Sequence, residues 1–207
     1  MIGIIDYGSG NIQAIATIYK NLNIEHQVLN KPEDLKKADK LILPGVGAFD
    51  ATMQQLIDSG LKEELNKLVL EEKVPVLGIC VGLQVMGFES EEGELPGLGW
   101  IPGKVKKFDK SRIENKPKLP HMGWNEIKDN RSHKLFDGID SDFGFYFVHS
   151  FYFECKNPEN ILSISNYGCE FTSSIYDNHI IGTQFHPEKS HGNGVQLLKN
   201  FSELKIC

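Results

Sequence analysis

Short apolar runs alternate with longer mixed stretches through the first half of the chain. Residues 2–6, 41–43 and 74–79 are such runs, and 25–29 is a more polar one. Compact apolar runs bounded by turn formers read as buried strands. Between them, residues 11–22 and much of 51–70 carry apolar side chains at helical spacing, and another helix begins over 81–88. Gly8-Ser9-Gly10 breaks the first strand, and Asn11 stands where a helix N-cap is expected. Strands alternating with helices predict a parallel sheet covered on both faces. In such sheets chemistry gathers at the carboxyl ends of the strands. Gly8-Ser9-Gly10, Pro44-Gly45-Val46-Gly47 and Cys80 all lie at such ends.

The second half changes texture. Residues 100–108, 143–153, 161–165, 171–176 and 180–185 read as strands joined by short turns, and a last helix covers about 194–204. These are expected to extend the parallel sheet with antiparallel strands. The predicted fold is α/β: an open, mostly parallel sheet with helices on both faces, extended by antiparallel strands in the C-terminal half. No repeat or linker divides it, so a single domain over 1–207 is expected.

Composition narrows the function classes. A chain of 207 residues with 40% hydrophobic content can bury a sizeable core. A net charge of −6 argues against a nucleic-acid surface, which needs clustered Lys and Arg. No apolar run approaches the roughly 20 residues that span a bilayer, and the first residues lack the basic flank and longer apolar core of a signal peptide. The four cysteines, Cys80, Cys155, Cys169 and Cys207, form no C-x-x-C pair. The expectation is a cytoplasmic protein with reduced thiols, no metal, no cofactor and no membrane partner.

The segment Val76-Leu77-Gly78-Ile79-Cys80-Val81-Gly82-Leu83-Gln84 carries the chemistry. An apolar strand stops at a cysteine flanked two residues away by glycines, and a helical pattern begins at once. That is the layout of a nucleophile elbow. The following helix N-terminus would favour the thiolate, the attacking species. A cysteine alone reads first as a buried core thiol. Gln184-Phe185-His186-Pro187-Glu188 supplies what the elbow lacks. In extended backbone, residues two apart face one side, so Glu188 can orient His186 toward Cys80. Alone, the pair reads first as a surface His beside a surface Glu. Attack on a carbonyl also needs donors for the oxyanion. The Val81 N–H and the loop Gly45-Val46-Gly47 can provide them. Neither G-x-G-x-x-G nor G-K-[ST] is present, so a nucleotide site has little support.

Gly78-Ile79-Cys80-Val81-Gly82-Leu83-Gln84 with His186-Pro187-Glu188 resembles the class I glutamine amidotransferases. Further blocks deepen the likeness: Asp6-Tyr7-Gly8-Ser9-Gly10-Asn11, Pro44-Gly45-Val46-Gly47-Ala48-Phe49, Gly97-Leu98-Gly99-Trp100, Pro120-His121-Met122-Gly123-Trp124-Asn125 and Tyr146-Phe147-Val148-His149-Ser150. The resemblance implies hydrolysis of L-glutamine to glutamate and ammonia by a Cys80-His186-Glu188 triad through a γ-glutamyl thioester. It implies an oxyanion hole at Val46, Gly47 and Val81, and a glutamine site at Gly45, Gln84, Glu92, Ser150 and Phe151. It also implies a heterodimer with a (β/α)8 cyclase of histidine biosynthesis that receives the ammonia. Asn11, His121, Met122, Trp124, Tyr146 and Lys189 match its interface positions. Met122 and Trp124 suit an interface and a core equally. Three alternatives stay open: the same glutaminase feeding a sugar-nucleotide aminating partner, a non-catalytic regulatory module, and an elbow-cysteine peptidase.

Overall fold

The computed structural model describes residues 1–114 and 118–205, so Cys207 lies outside the described residues. In chain order, β1 (Ile2–Ile5) leads to α1 (Ile12–Asn21), β2 (His26–Leu29), α2 (Pro32–Leu35) and β3 (Lys40–Gly45). Then come α3 (Phe49–Asp58), α4 (Lys62–Asn66), a π-turn (Lys67–Glu71), β4 (Val76–Cys80) and α5 (Val81–Gln84). Next are β5 (Glu89–Ser90), β6 (Gly103–Lys107), β7 (His121–Asn125), β8 (Lys128–Asp129), β9 (Phe145–His149) and β10 (Phe151–Cys155). The last are β11 (Ile161–Asn166), β12 (Glu170–Asp177), β13 (Ile180–Thr183) and α6 (His191–Glu203).

Among the described residues the main sheet has eight strands in the order β2-β1-β3-β4-β13-β12-β11-β8. The members from β2 to β13 are parallel, and β12, β11 and β8 follow antiparallel. The apolar runs sit at the centre because both faces there are covered: every residue of β1, β4 and β13 is buried. Register decides what meets at the carboxyl edge. Gly45 lies opposite Cys80, and Thr183 lies opposite Ile79. The loops after β1, β3, β4 and β13 therefore converge on one crevice. Among the described residues no helix is long and apolar enough to cross a membrane.

Four expectations change. The antiparallel strands do not all extend the main sheet: β10, β6 and β5 form a separate sheet, and among the described residues β7 pairs only with β9. The helical stretch over 51–70 breaks at Ser59 and at Gly60, whose φ is +72°. The helix after the elbow is a single turn, not eight residues. Backbone N–H groups of Gly97, Leu98, Gly99 and Trp100 take the carbonyls of Phe88, Val85, Gly87 and Met86, so the turn cannot propagate. Finally, Asn11 sits at the N-cap position of α1 but makes no capping bond. Its side chain is used elsewhere.

Candidate active site

Cys80 ends β4 at φ +56°, ψ −110°, a region that costs a non-glycine residue about 1–3 kcal/mol. The bend holds because the surroundings leave no alternative. A Cβ on Gly82 would stand 1.9 Å from the Leu43 carbonyl oxygen, and one on Gly78 would stand 2.8 Å from that of Gly82. Only glycine lets α5 lie this close to β3. With α5 one turn long, few peptide dipoles align, so the expected helix field on the sulfur is small. Discrete donors take its place.

His186 follows β13, and its backbone N–H donates to the Tyr146 carbonyl (2.9 Å). Its Nδ1 meets Glu188 Oε1 at 2.8 Å, with both side chains almost fully buried. The ring also hydrogen-bonds the Cys80 sulfur. Burial pulls the imidazole down, but the sulfur's charge, its hydrogen bond and Glu188 together push it up to about 10. Burial likewise raises Glu188, yet bonds from His186 and Asn11 hold it below the usual carboxylate range. Asn11 Nδ2 donates to Glu188 Oε1 at 2.6 Å, which is where the absent cap went. The structure thus brings Cys80, His186 and Glu188 together, with Asn11 behind them.

The segment after β3 is held from the β1–α1 turn. The Tyr7 hydroxyl donates to the Pro44 carbonyl. Ser9 Oγ accepts the Val46 N–H and donates to the Val46 carbonyl, each at 3.0 Å. The Val46 N–H, expected in an oxyanion hole, is thereby committed to Ser9. Gly47 (φ +98°) and Val81 remain beside the sulfur.

A cavity of about 360 Å³ opens over Cys80 and His186. Val46, Gly47, Val81, Gln84, Glu92, Ser150, Phe151 and Lys189 line it with His149. Glu92 Oε2 accepts the Phe49 N–H at the start of α3 (2.9 Å). The acidic loop is pinned by Asp50, whose carboxylate accepts the N–H groups of Glu94 and Leu95. Gln84 Nε2 donates to the Phe151 carbonyl and to Gln184 Oε1, both at 3.0 Å. Gly45 lies behind, packed on the backbone of Val81 and Gly82.

Beside this mouth, Met122 is 61% exposed and Trp124 42% exposed, so neither belongs to the core. Trp124 stacks on His191 and meets Phe143 edge-on. Lys189 Nζ lies 5.9 Å above the Tyr146 ring. His121 differs from expectation: it is buried, stacked between Phe147 and Tyr167. Alternation along β7 turns residue 121 inward when 122 and 124 face out. Its Nδ1 meets His149 Nε2 at 2.9 Å. Burial keeps both rings neutral, drawing His121 down to about 4 and His149, with His121 beside it, to about 3. Sequence reasoning assigned no role to Ser9, Asp50, His149 or Gln184. Ser9, His149 and Gln184 stood inside quoted motifs, whereas Asp50 gave no local signal.

The class-I glutamine amidotransferase family model matches residues 3–204. The imidazole glycerol phosphate synthase subunit HisH of Bdellovibrio bacteriovorus is 53% identical over 209 residues, covering 99% of this chain and all of that one. Those of Leptospira borgpetersenii (46%, 99% and 100% covered) and Methanococcus maripaludis (HisH 2; 48%, 97% and 98% covered) are similar at full length. A crystal structure of a glutamine amidotransferase shares the fold at TM-score 0.74 and 20% identity, covering 98% of this chain and 97% of the other. Another, from Thermotoga maritima, does so at 0.64 and 16%, covering 98% and 83%. With a family model that spans nearly its whole length, the chain belongs to the class-I glutamine amidotransferases.

Proposed function

We propose that this chain is the glutaminase subunit of an imidazole glycerol phosphate synthase. It hydrolyses L-glutamine to glutamate and ammonia and passes the ammonia to a (β/α)8 cyclase partner, the two forming a heterodimer. The buried Cys80–His186–Glu188 constellation supports the chemistry, and full-length likeness to HisH subunits supports the assignment.

The reaction runs from the pair in which Cys80 is the thiolate and His186 carries the proton. The thiolate attacks the side-chain amide carbon of glutamine. The Val81 N–H, with a donor from residues 45–47, receives the oxyanion. His186 then gives its proton to the departing ammonia, leaving a γ-glutamyl thioester. The neutral imidazole takes a proton from water, which attacks the thioester and releases glutamate and the thiolate. Glu188 holds the ring's tautomer and orientation throughout. Glu92 has one oxygen on Phe49, so the other can pair with the α-ammonium of glutamine. Gln84, Ser150 and Phe151 close the pocket around it. Ser9 holds Val46 in an orientation that withholds its N–H, which fits an enzyme that waits for its partner. Met122, Trp124, Tyr146 and Lys189 form the docking face beside the mouth, with Asn11 behind it.

The Cys80→Ala variant tests this. It is expected to lose glutamine hydrolysis, while ammonium salts still support synthesis by the assembled heterodimer. Hydrolysis that survives the substitution would overturn the reading.

A further inference from the structure

We infer that Gln184 is a further catalytic residue of this glutaminase: its side-chain amide donates a hydrogen bond to the sulfur of Cys80 and stabilises the thiolate. This rests on the proposal that Cys80 is the nucleophile.

Gln184 is the first residue after β13 and is fully buried. Pairing of Thr183 with Ile79 carries it alongside Cys80. Its backbone N–H is fixed on the Ser173 carbonyl at 2.8 Å. Its Nε2 lies 3.7 Å from Cys80 Sγ, within the longer range normal for sulfur.

A buried amide can be turned end for end, so which end faces the sulfur has to be argued. The Phe151 carbonyl settles it, because it can only accept. It receives His149 Nδ1 at 2.8 Å and Gln84 Nε2 at 3.0 Å. The nitrogen end of Gln84 is thereby fixed. Its second N–H meets the other amide at 3.0 Å and needs an acceptor there, which is Gln184 Oε1. The nitrogen of Gln184 is left pointing at the sulfur. The same logic runs outward: His149 donates from Nδ1, so its Nε2 accepts from His121 Nδ1. Asn125 Nδ2, at 3.2 Å, then donates to His121 Nε2. Every member is neutral and directional, so the orientation at the sulfur is over-determined.

The chemical need is clear. Cys80 is only 3% exposed, so its anion has lost most of its water. His186 occupies one side of the sulfur, and the helix behind is too short to supply a field. A fixed N–H replaces hydration, and it acts twice in the cycle. It stabilises the thiolate before attack and again as the leaving group when the thioester is hydrolysed.

Two variants separate this from packing. Gln184→Met keeps length but removes the donor. Gln184→Glu keeps shape and the acceptor for Gln84, and above the carboxyl's own raised pKa replaces the donor with a negative charge beside the sulfur. Iodoacetamide inactivation is followed across pH in the full-length heterodimer, together with kcat, KM and melting temperature. The inactivation profile is expected to move to higher pH by about one unit for Met and further for Glu. The kcat should fall about tenfold or more with KM within about threefold. A packing role predicts the opposite order, with the isosteric Glu closest to wild type. Profiles that coincide with wild type, or that order, overturn the inference, and the isosteric Glu variant decides should the Met variant not fold. Cys80→Ala is run beside them: hydrolysis there would instead sink the nucleophile assignment.

Discussion

Asn11→Leu isolates the contact behind the triad, because it removes the donor and keeps the branched shape of the side chain. Asn11 Nδ2 donates to Glu188 Oε1, the oxygen that also receives His186 Nδ1. Hydrogen bonds to charged groups contribute about 1.5–3 kcal/mol. Expressed wholly at the transition state, that lowers kcat/KM about 10- to 150-fold. Expressed wholly in folding, it lowers the melting temperature by about 3–12 °C, at 2–4 °C per kcal/mol for a chain of this size. Steady-state glutaminase assays and thermal melts read the split. The sign with pH follows from Glu188. Burial raises it, but the bonds from His186 and Asn11 dominate and hold it low. A depressed carboxylate contributes stability that is present above its unfolded value and lost as pH falls through its folded value. The stability gap between variant and wild type is therefore expected at pH 7 and should close as pH drops below about 4. Activity and melting temperature both unchanged at pH 7 would refute the reasoning. So would a loss confined to partner affinity, which would make Asn11 a docking residue only.

Gly82→Ala places a methyl against the Leu43 carbonyl oxygen, so α5 or β3 must move. Overpacking of this kind costs about 1–3 kcal/mol, and the melting temperature should fall by about 2–12 °C; an unchanged melt would show that the close approach is not required. Trp124→Asp puts a charge on the exposed aromatic patch. Affinity for the cyclase partner, measured by calorimetry, should drop about tenfold or more with the melt nearly unchanged, and undiminished affinity would move the docking face elsewhere.

Much of the central sheet was readable from residues because strands buried on both faces announce themselves as apolar runs: β1, β3 and β4 match to within two residues. The elbow was readable because Gly78 and Gly82 flank Cys80 at fixed spacing. What failed was decided by distant chain. The one-turn α5 ends because residues 97–100 take its carbonyls, and local periodicity carries no record of that. His121 turned inward because β7 pairs with β9 in a register that puts Met122 and Trp124 outside. Asn11 has a capping residue's composition, and a carboxylate that arrives 177 positions later claims its amide. His149 and Gln184 gain meaning only once the neighbouring acceptors are in place.

The turn between β1 and α1 grips two parts of the site at once. Ser9 holds Val46 on one side, and two positions on Asn11 holds Glu188 on the other. A shift of that turn, whatever pushes it, loosens the withheld peptide and tilts the acid together, like two doors hung on one post. On the proposed mechanism, oxyanion binding and proton transfer then share one support.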